Sequence, residues 1–231
     1  MKIFFACFLV FSVLPCFSEE ERYGNLELSG GMPFIYETLS HGGTETLKTA
    51  MPPFSFGIAA SNYAAFGDNP LGIAFAAHFL YPRAFLHSVK GTESRYGIND
   101  VTAFDMYLGI GYRLFEQGRL KIPLTAGLHL FSLSGSSADN AFVSHDLEKV
   151  SFGLGASIAV EFHAVPIVYF FGRLQGYFDF FTYTKRTEYT GVMIGSKMAY
   201  YIDSNEYTRL SAHVGLIPEL GVGLKFDGFF K

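Results

Sequence analysis
Histidines and carboxylates are the residues of this chain best suited to chemistry, and their spacing limits what they can do. His145-Asp146, flanked by Ser144 and Glu148, is the one adjacent acid–base pair. Such a pair passes protons in catalysis only when a nucleophile or second acid lies within hydrogen-bond reach. No matching constellation occurs elsewhere, and a solvated His-Asp neighbour needs no reaction to explain it, so no catalytic site is expected. His41, His78, His87, His129, His163 and His213 are scattered without the paired spacing of metal ligands, so no metal is expected. Gly42-Gly43 and Gly221-x-Gly223 are too short to cradle phosphate and there is no P-loop, which leaves no cofactor expected. A net charge of -4 with no Lys/Arg cluster excludes a nucleic-acid footprint.

The remaining charges follow a period of two. Across residues 209–226, Leu210, Ala212, Val214, Leu216, Leu220, Val222, Leu224 and Phe226 share one parity, interrupted only by Pro218. The opposite parity holds Arg209, Ser211, His213, Gly215, Ile217, Glu219, Gly221, Gly223 and Lys225, small or charged apart from Ile217. Alternate residues of a strand occupy opposite faces, so this is a strand with one apolar and one small or charged face. With the apolar face outward, the object is a transmembrane β-barrel. The same pattern recurs in segments near residues 25–34, 54–59, 71–79, 104–113, 120–130, 150–163 and 173–180. Read together, the segments predict an all-β fold, a closed antiparallel transmembrane β-barrel of eight strands. A ten-strand alternative would use residues 190–202 and split the last segment at Pro218.

Connections alternate in length, as expected for short periplasmic turns and long external loops. The short ones fall near Gly67-Asp68-Asn69, residues 115–118 and Ala164-Val165-Pro166; the long ones cover residues 37–51, 82–99, 132–149 and 183–206. Eight strands leave an interior that side chains fill or that holds one small ligand. The parity predicts Glu27, Asp105, Arg113, Lys121, Glu161, Arg173, Asp179, Lys197 and Glu219 in this lumen. Their mixed signs would pair across the tube and plug it, while an ion path would use the same residues. The glycines of that parity would relieve crowding or widen the bore.

Composition agrees: 49% of residues are hydrophobic and 16% charged, and 26 Phe and 14 Tyr without Trp would build any interfacial girdle from Phe and Tyr. No apolar run approaches the roughly 18 residues of a spanning helix. At the N-terminus, Met1-Lys2, an apolar stretch over residues 3–14 and Cys16-Phe17-Ser18 predict a signal peptide over residues 1–18, with the barrel occupying 19–231. Cleavage there removes Cys7 and Cys16, the two cysteines of the chain, and leaves no disulfide. Cleavage before Cys16 at Val13-Leu14-Pro15-Cys16, which loosely resembles a lipobox, is the alternative.

Glu219-x-Gly221-x-x-Leu224-x-Phe226 resembles the terminal β-signal that outer-membrane barrels present to their assembly machinery. With the signal peptide, alternating strands and alternating loop lengths, the whole mature chain resembles small bacterial outer-membrane barrels of the OmpW/OmpX/OmpA kind. The family pattern ends at the terminal aromatic, whereas Asp227-Gly228-Phe229-Phe230-Lys231 follows here. The resemblance implies location in the outer membrane, contact with its lipid and with the barrel assembly machinery, and passage of small solutes, hydrophobic ones among them. Two other functions are open: a plugged barrel whose loops bind host or envelope partners, and a secreted soluble ligand-binding barrel with the apolar parity inside. Some barrels of this size resemble enzymes that act on lipid or cleave peptides at the outer rim, but His213 lacks the adjacent serine expected of a barrel lipid hydrolase.

Overall fold
The computed structural model describes residues 22–31, 34–40, 44–49, 55–66, 69–81, 85–89, 92–140, 143–194 and 197–227. The expected signal segment with both cysteines, and His41, lie outside the described residues. Period-two patterning produces strand throughout: β1 (Arg22–Gly31), β2 (Phe34–Ser40), β3 (Thr44–Thr49), β4 (Ser55–Ala65), β5 (Leu71–Tyr81), β6 (Phe85–Val89), β7 (Thr92–Gln117), β8 (Leu120–Asn140), β9 (Val143–Val165), β10 (Val168–Ile194) and β11 (Lys197–Asp227).

A ring of eight closes in the order β1-β4-β5-β7-β8-β9-β10-β11, every pair antiparallel. The seam joins first strand to last, from Tyr23 opposite Asp227 to Gly31 opposite Glu219. Above the seam, β11 changes neighbour and pairs with β2 from Leu216–Phe34 to Ala212–Thr38. β2 pairs with β3, β3 with β6 and β6 with the start of β7. One side of the barrel is therefore built in two tiers, β1/β4/β5 below and β2/β3/β6 above. Pro33, Pro52, Pro53 and Pro82 fall between the tiers in sequence, and proline brings no N–H to a ladder.

The long loops expected at 37–51, 82–99, 132–149 and 183–206 are corrected by this pairing, since all four contain paired strand. β10 and β11 stay paired from Phe181 opposite Leu210 up to Ile194 opposite Lys197. Beyond the bilayer the outer face no longer meets lipid, so the apolar alternation fades while the backbone ladder continues, and a pattern-based reading stops too early. The ten-strand alternative also fails, because β11 runs unbroken through Pro218. Pro218 is tolerated there because it lies at the change of neighbour, between the Glu219–Gly31 and Leu216–Phe34 pairs.

The apolar parity faces out, contrary to the soluble-barrel alternative. Leu28, Ile58, Ile110, Leu154, Leu174 and Leu220 form an exposed aliphatic band. Exposed Phe66, Tyr112, Phe162 and Phe170 edge it on the side of the short turns, and Phe79, Phe152, Phe178 and Phe180 on the other. Phe162 and Phe152 are ten residues apart on one strand, which for a tilted strand spans about 25 Å, the height of a lipid-facing band. Phe75 departs from the pattern: it shares the apolar parity but is buried. A bulge between Asp179 and Phe181 shifts the pairing of β10 with both neighbours. It leaves Phe180 and Phe181 both outside and moves the inward parity from Tyr177 and Asp179 to Thr182 and Thr184.

Candidate functional site: the lumen
Inward side chains of β1, β5, β7, β8, β9, β10 and β11 meet in a continuous polar network. Near the short-turn side it centres on Arg173, which forms an ion pair with Glu27 and lies 3.6 Å from Glu219 Oε2. Tyr169 Oη donates to Glu27 at 2.7 Å and Ser29 Oγ to Glu219 at 3.1 Å. Arg173 also donates from Nη1 to His78 Nε2 at 2.9 Å. Guanidinium cannot accept, so His78 Nε2 carries a lone pair and the ring proton sits on Nδ1, 2.8 Å from Asp105 Oδ1. Gln175 donates to the other Asp105 oxygen.

Higher up, Asp179 collects three donors from three strands: His129 Nδ1 at 2.7 Å, Ser151 Oγ at 2.6 Å and His213 Nδ1 at 2.9 Å. His129 links the two levels, with Nε2 4.0 Å from Asp105 Oδ2 and its ring stacked on Tyr177 at 4.1 Å between centroids. Asp105, His129, Ser151, Asp179 and His213 all have 0% exposure. Buried charges without partners are costly, so a fully buried set of this kind persists because each carboxylate is met by donors from other strands.

Glycines make room for the rings. A Cβ at Gly155 would strike the Tyr107 ring, and one at Gly215 the Tyr177 ring, so each tyrosine lies against a wall position that only glycine leaves open. The inward glycines thus admit aromatic side chains instead of widening the bore. Ala103, Phe131, Leu133, Leu147, Tyr177 and Ile217 form a buried apolar cluster that runs from the level of the network toward the tall side, where Lys149, Thr182 and Thr184 are buried beside it. Toward the short turns a cavity of roughly 70 Å³ remains between Glu27, His78, Tyr107, Glu161, Arg173 and Gln175.

Of the residues expected in the lumen, the structure brings Glu27, Arg173 and Glu219 together, and links Asp105 to Asp179 through His129. Arg113 and Lys121 lie apart from them at the rim, both paired with Glu116, Arg113 at 2.9 Å. Glu161 meets His163 Nε2 at 3.2 Å, an in-strand neighbour instead of a cation across the tube. Lys197 enters the ladder opposite Ile194 at the hairpin tip, far from the lumen network. Within the expected assembly motif, Glu219 points inward, Gly221 lies where a Cβ would strike the Phe171 ring, and Leu224 faces out. His145-Asp146 sits on β9, opposite Glu188 and Thr187 of β10, and not on a loop.

Sequence reasoning missed the histidines as members of the site. The available signal was register: His78 is the ladder partner of Asp105, and His213 of Asp179. Ser151, His213 and Asp179 have the composition of a hydrolytic triad but not its connectivity. Such a triad places serine and carboxylate on opposite ring nitrogens, whereas here both approach His213 Nδ1 (2.8 Å and 2.9 Å) and Ser151 donates directly to Asp179. The arrangement holds the wall together and provides no relay from serine to histidine.

No family model matches the chain, and no curated protein matches it in sequence. Among solved structures, a major outer membrane protein from Thermus thermophilus superposes with a TM-score of 0.56 at 15% identity, over 88% of this chain and 99% of that one. OprG from Pseudomonas aeruginosa gives 0.49 at 14% identity over 89% and 95%. The outer membrane protease OmpT from Escherichia coli gives 0.48 at 11% over 91% and 98%. The closed ring, the apolar exterior, the polar lumen and the first of these superpositions together make the fold of this chain that of the small bacterial outer-membrane β-barrels.

Proposed function
We propose that this protein is an integral outer-membrane barrel whose lumen is closed to bulk solute and whose tall extracellular wall is its working surface for binding envelope or host partners. The observation that carries the reading is the cross-section through Asp105, His129, Ser151, Asp179 and His213, all at 0% exposure. The side bearing the short turns is assigned to the periplasm. On this reading the N-terminal segment directs export, outer-membrane lipid covers the aliphatic band, and the assembly machinery recognises Glu219, Gly221, Leu224 and Phe226. Reconstitution in planar bilayers tests it: the folded protein is expected to give no stepwise current, and steady channels from the unmodified protein would overturn the closed-lumen reading.

A second reading, passage of a small apolar solute, is favoured by Leu133 and Leu147, buried apolar side chains on the outer side of Ser151 and Asp179. It predicts that Leu133→Glu abolishes uptake of a small hydrocarbon into proteoliposomes while leaving the barrel folded.

A further inference from the structure
Above its lipid band, the β10–β11 hairpin passes through a polar tier and then becomes apolar again. The rungs Lys185–Glu206, Arg186–Asn205, Thr187–Ser204 and Glu188–Asp203 are polar, and Lys185 Nζ lies 3.3 Å from Glu206 Oε1. The next rungs pair Tyr189 with Ile202, Thr190 with Tyr201, Gly191 with Tyr200 and Val192 with Ala199. The pairing of β9 with β10 ends at Val143–Thr190, so the hairpin continues past its neighbour. Val192, Met193 and Ile194 on one arm and Tyr200, Tyr201 and Ile202 on the other are 50–68% exposed.

Three consecutive apolar residues on each arm put apolar surface on both faces, because neighbours along a strand point to opposite sides. A protein groove or a second copy would cover one face and leave the other wet. A surrounding apolar medium covers both. The protein's own bilayer is not that medium, since residues 182–188 put roughly 20–25 Å of strand between Phe181 and the tip. Tyr200 and Tyr201 are of the type that settles at a membrane interface. The polar tier beneath would halt entry at headgroup depth. Its described charges, Lys185, Arg186, Glu188, Asp203 and Glu206, give no positive excess to draw anionic lipid.

We propose that the tip of the β10–β11 hairpin inserts into an apposed lipid surface, driven by apolar burial and not by lipid charge. The inference rests on the tall wall being the working surface, and it names lipid as the partner. The chain contains no Trp, so Tyr201→Trp in the full-length protein, held in nanodiscs with a Trp-free scaffold, is a clean reporter. Phosphatidylcholine vesicles carrying brominated acyl chains are expected to blue-shift and quench that Trp and to carry the nanodiscs upward in flotation. Added phosphatidylserine or salt is expected to change neither. Ile194→Asp with Tyr200→Asp, in protein that keeps its heat-dependent gel mobility, is expected to cut flotation at least tenfold. Absence of quenching from folded protein would overturn the proposal, as would quenching that requires phosphatidylserine, or nanodisc pairing through the tip without vesicles. Conductance decides the closed-lumen reading separately, so either can fail alone.

Discussion

Asp179 and Glu206 sit on neighbouring strands of one ladder and have the same chemistry, yet they differ in every respect that sets energetic weight. Asp179 is fully buried and held by donors from β8, β9 and β11. Glu206 meets Lys185 at 3.3 Å and the Tyr183 hydroxyl, and its side chain is 53% exposed. Within the bilayer-level barrel a carboxylate ties walls together, because water cannot replace a lost donor. On the tall wall solvent substitutes for any partner, so the same group governs solubility and surface chemistry more than stability.

That contrast is tested most severely at Gly155. Gly155→Val drives side-chain atoms into the Tyr107 ring, and the barrel is expected not to close, read as loss of the heat-dependent gel shift. Asp179→Ala strips His129, Ser151 and His213 of their shared acceptor and should cost about 3–5 kcal/mol in denaturant-induced unfolding. A cost under about 1 kcal/mol would erase the distinction between lumen and wall. Glu27→Gln keeps the shape and one acceptor oxygen but removes the charge and sets an amide NH2 where the second oxygen accepts, against Arg173 or Tyr169, and a loss of about 1.5–3 kcal/mol is expected in the same assay.

Glu116, beside the β7–β8 turn and outside the lipid band, lies between the two regimes. Partial burial pushes its carboxyl up, but the hydrogen bond from Lys121 and the charges of Lys121 and Arg113 outweigh that and hold it below the usual carboxylate range. Its folded value lies below the unfolded one, so its contribution is present above the ordinary carboxylate range and disappears as pH falls through the folded value. For a solvated pair the size is about 1 kcal/mol or less. Unfolding midpoints of the unmodified protein and Glu116→Gln should therefore differ slightly at neutral pH and converge in acid. Lys185→Ala is expected to change stability by no more than about 0.5 kcal/mol, since water takes the place of the lysine beside Glu206.

Alternation alone made the ring, its inside and its outside legible from sequence. Residues such as Leu154 against Gly153 and Gly155, or Leu174 against Arg173 and Gln175, reveal their faces because lipid and lumen demand opposite side chains at every step. The height of the walls was not legible, because above the lipid the outer face of β10 and β11 is no longer held apolar and the inner one carries polar side chains such as Thr182 and Thr184, so polarity no longer separates strand from loop. Nor was the network. His78, His129 and His213 looked scattered along the chain, and only inter-strand register sets His78 beside Asp105 and His213 beside Asp179. The bulge at Asp179 likewise reverses the inward parity without any mark in the local pattern. Sequence by itself determined which medium each face of the barrel meets, since that is a property of single residues in alternation. Tertiary structure alone decided which buried groups share a proton or a carboxylate, because those contacts join strands up to 190 residues apart, as Ser29 and Glu219 do.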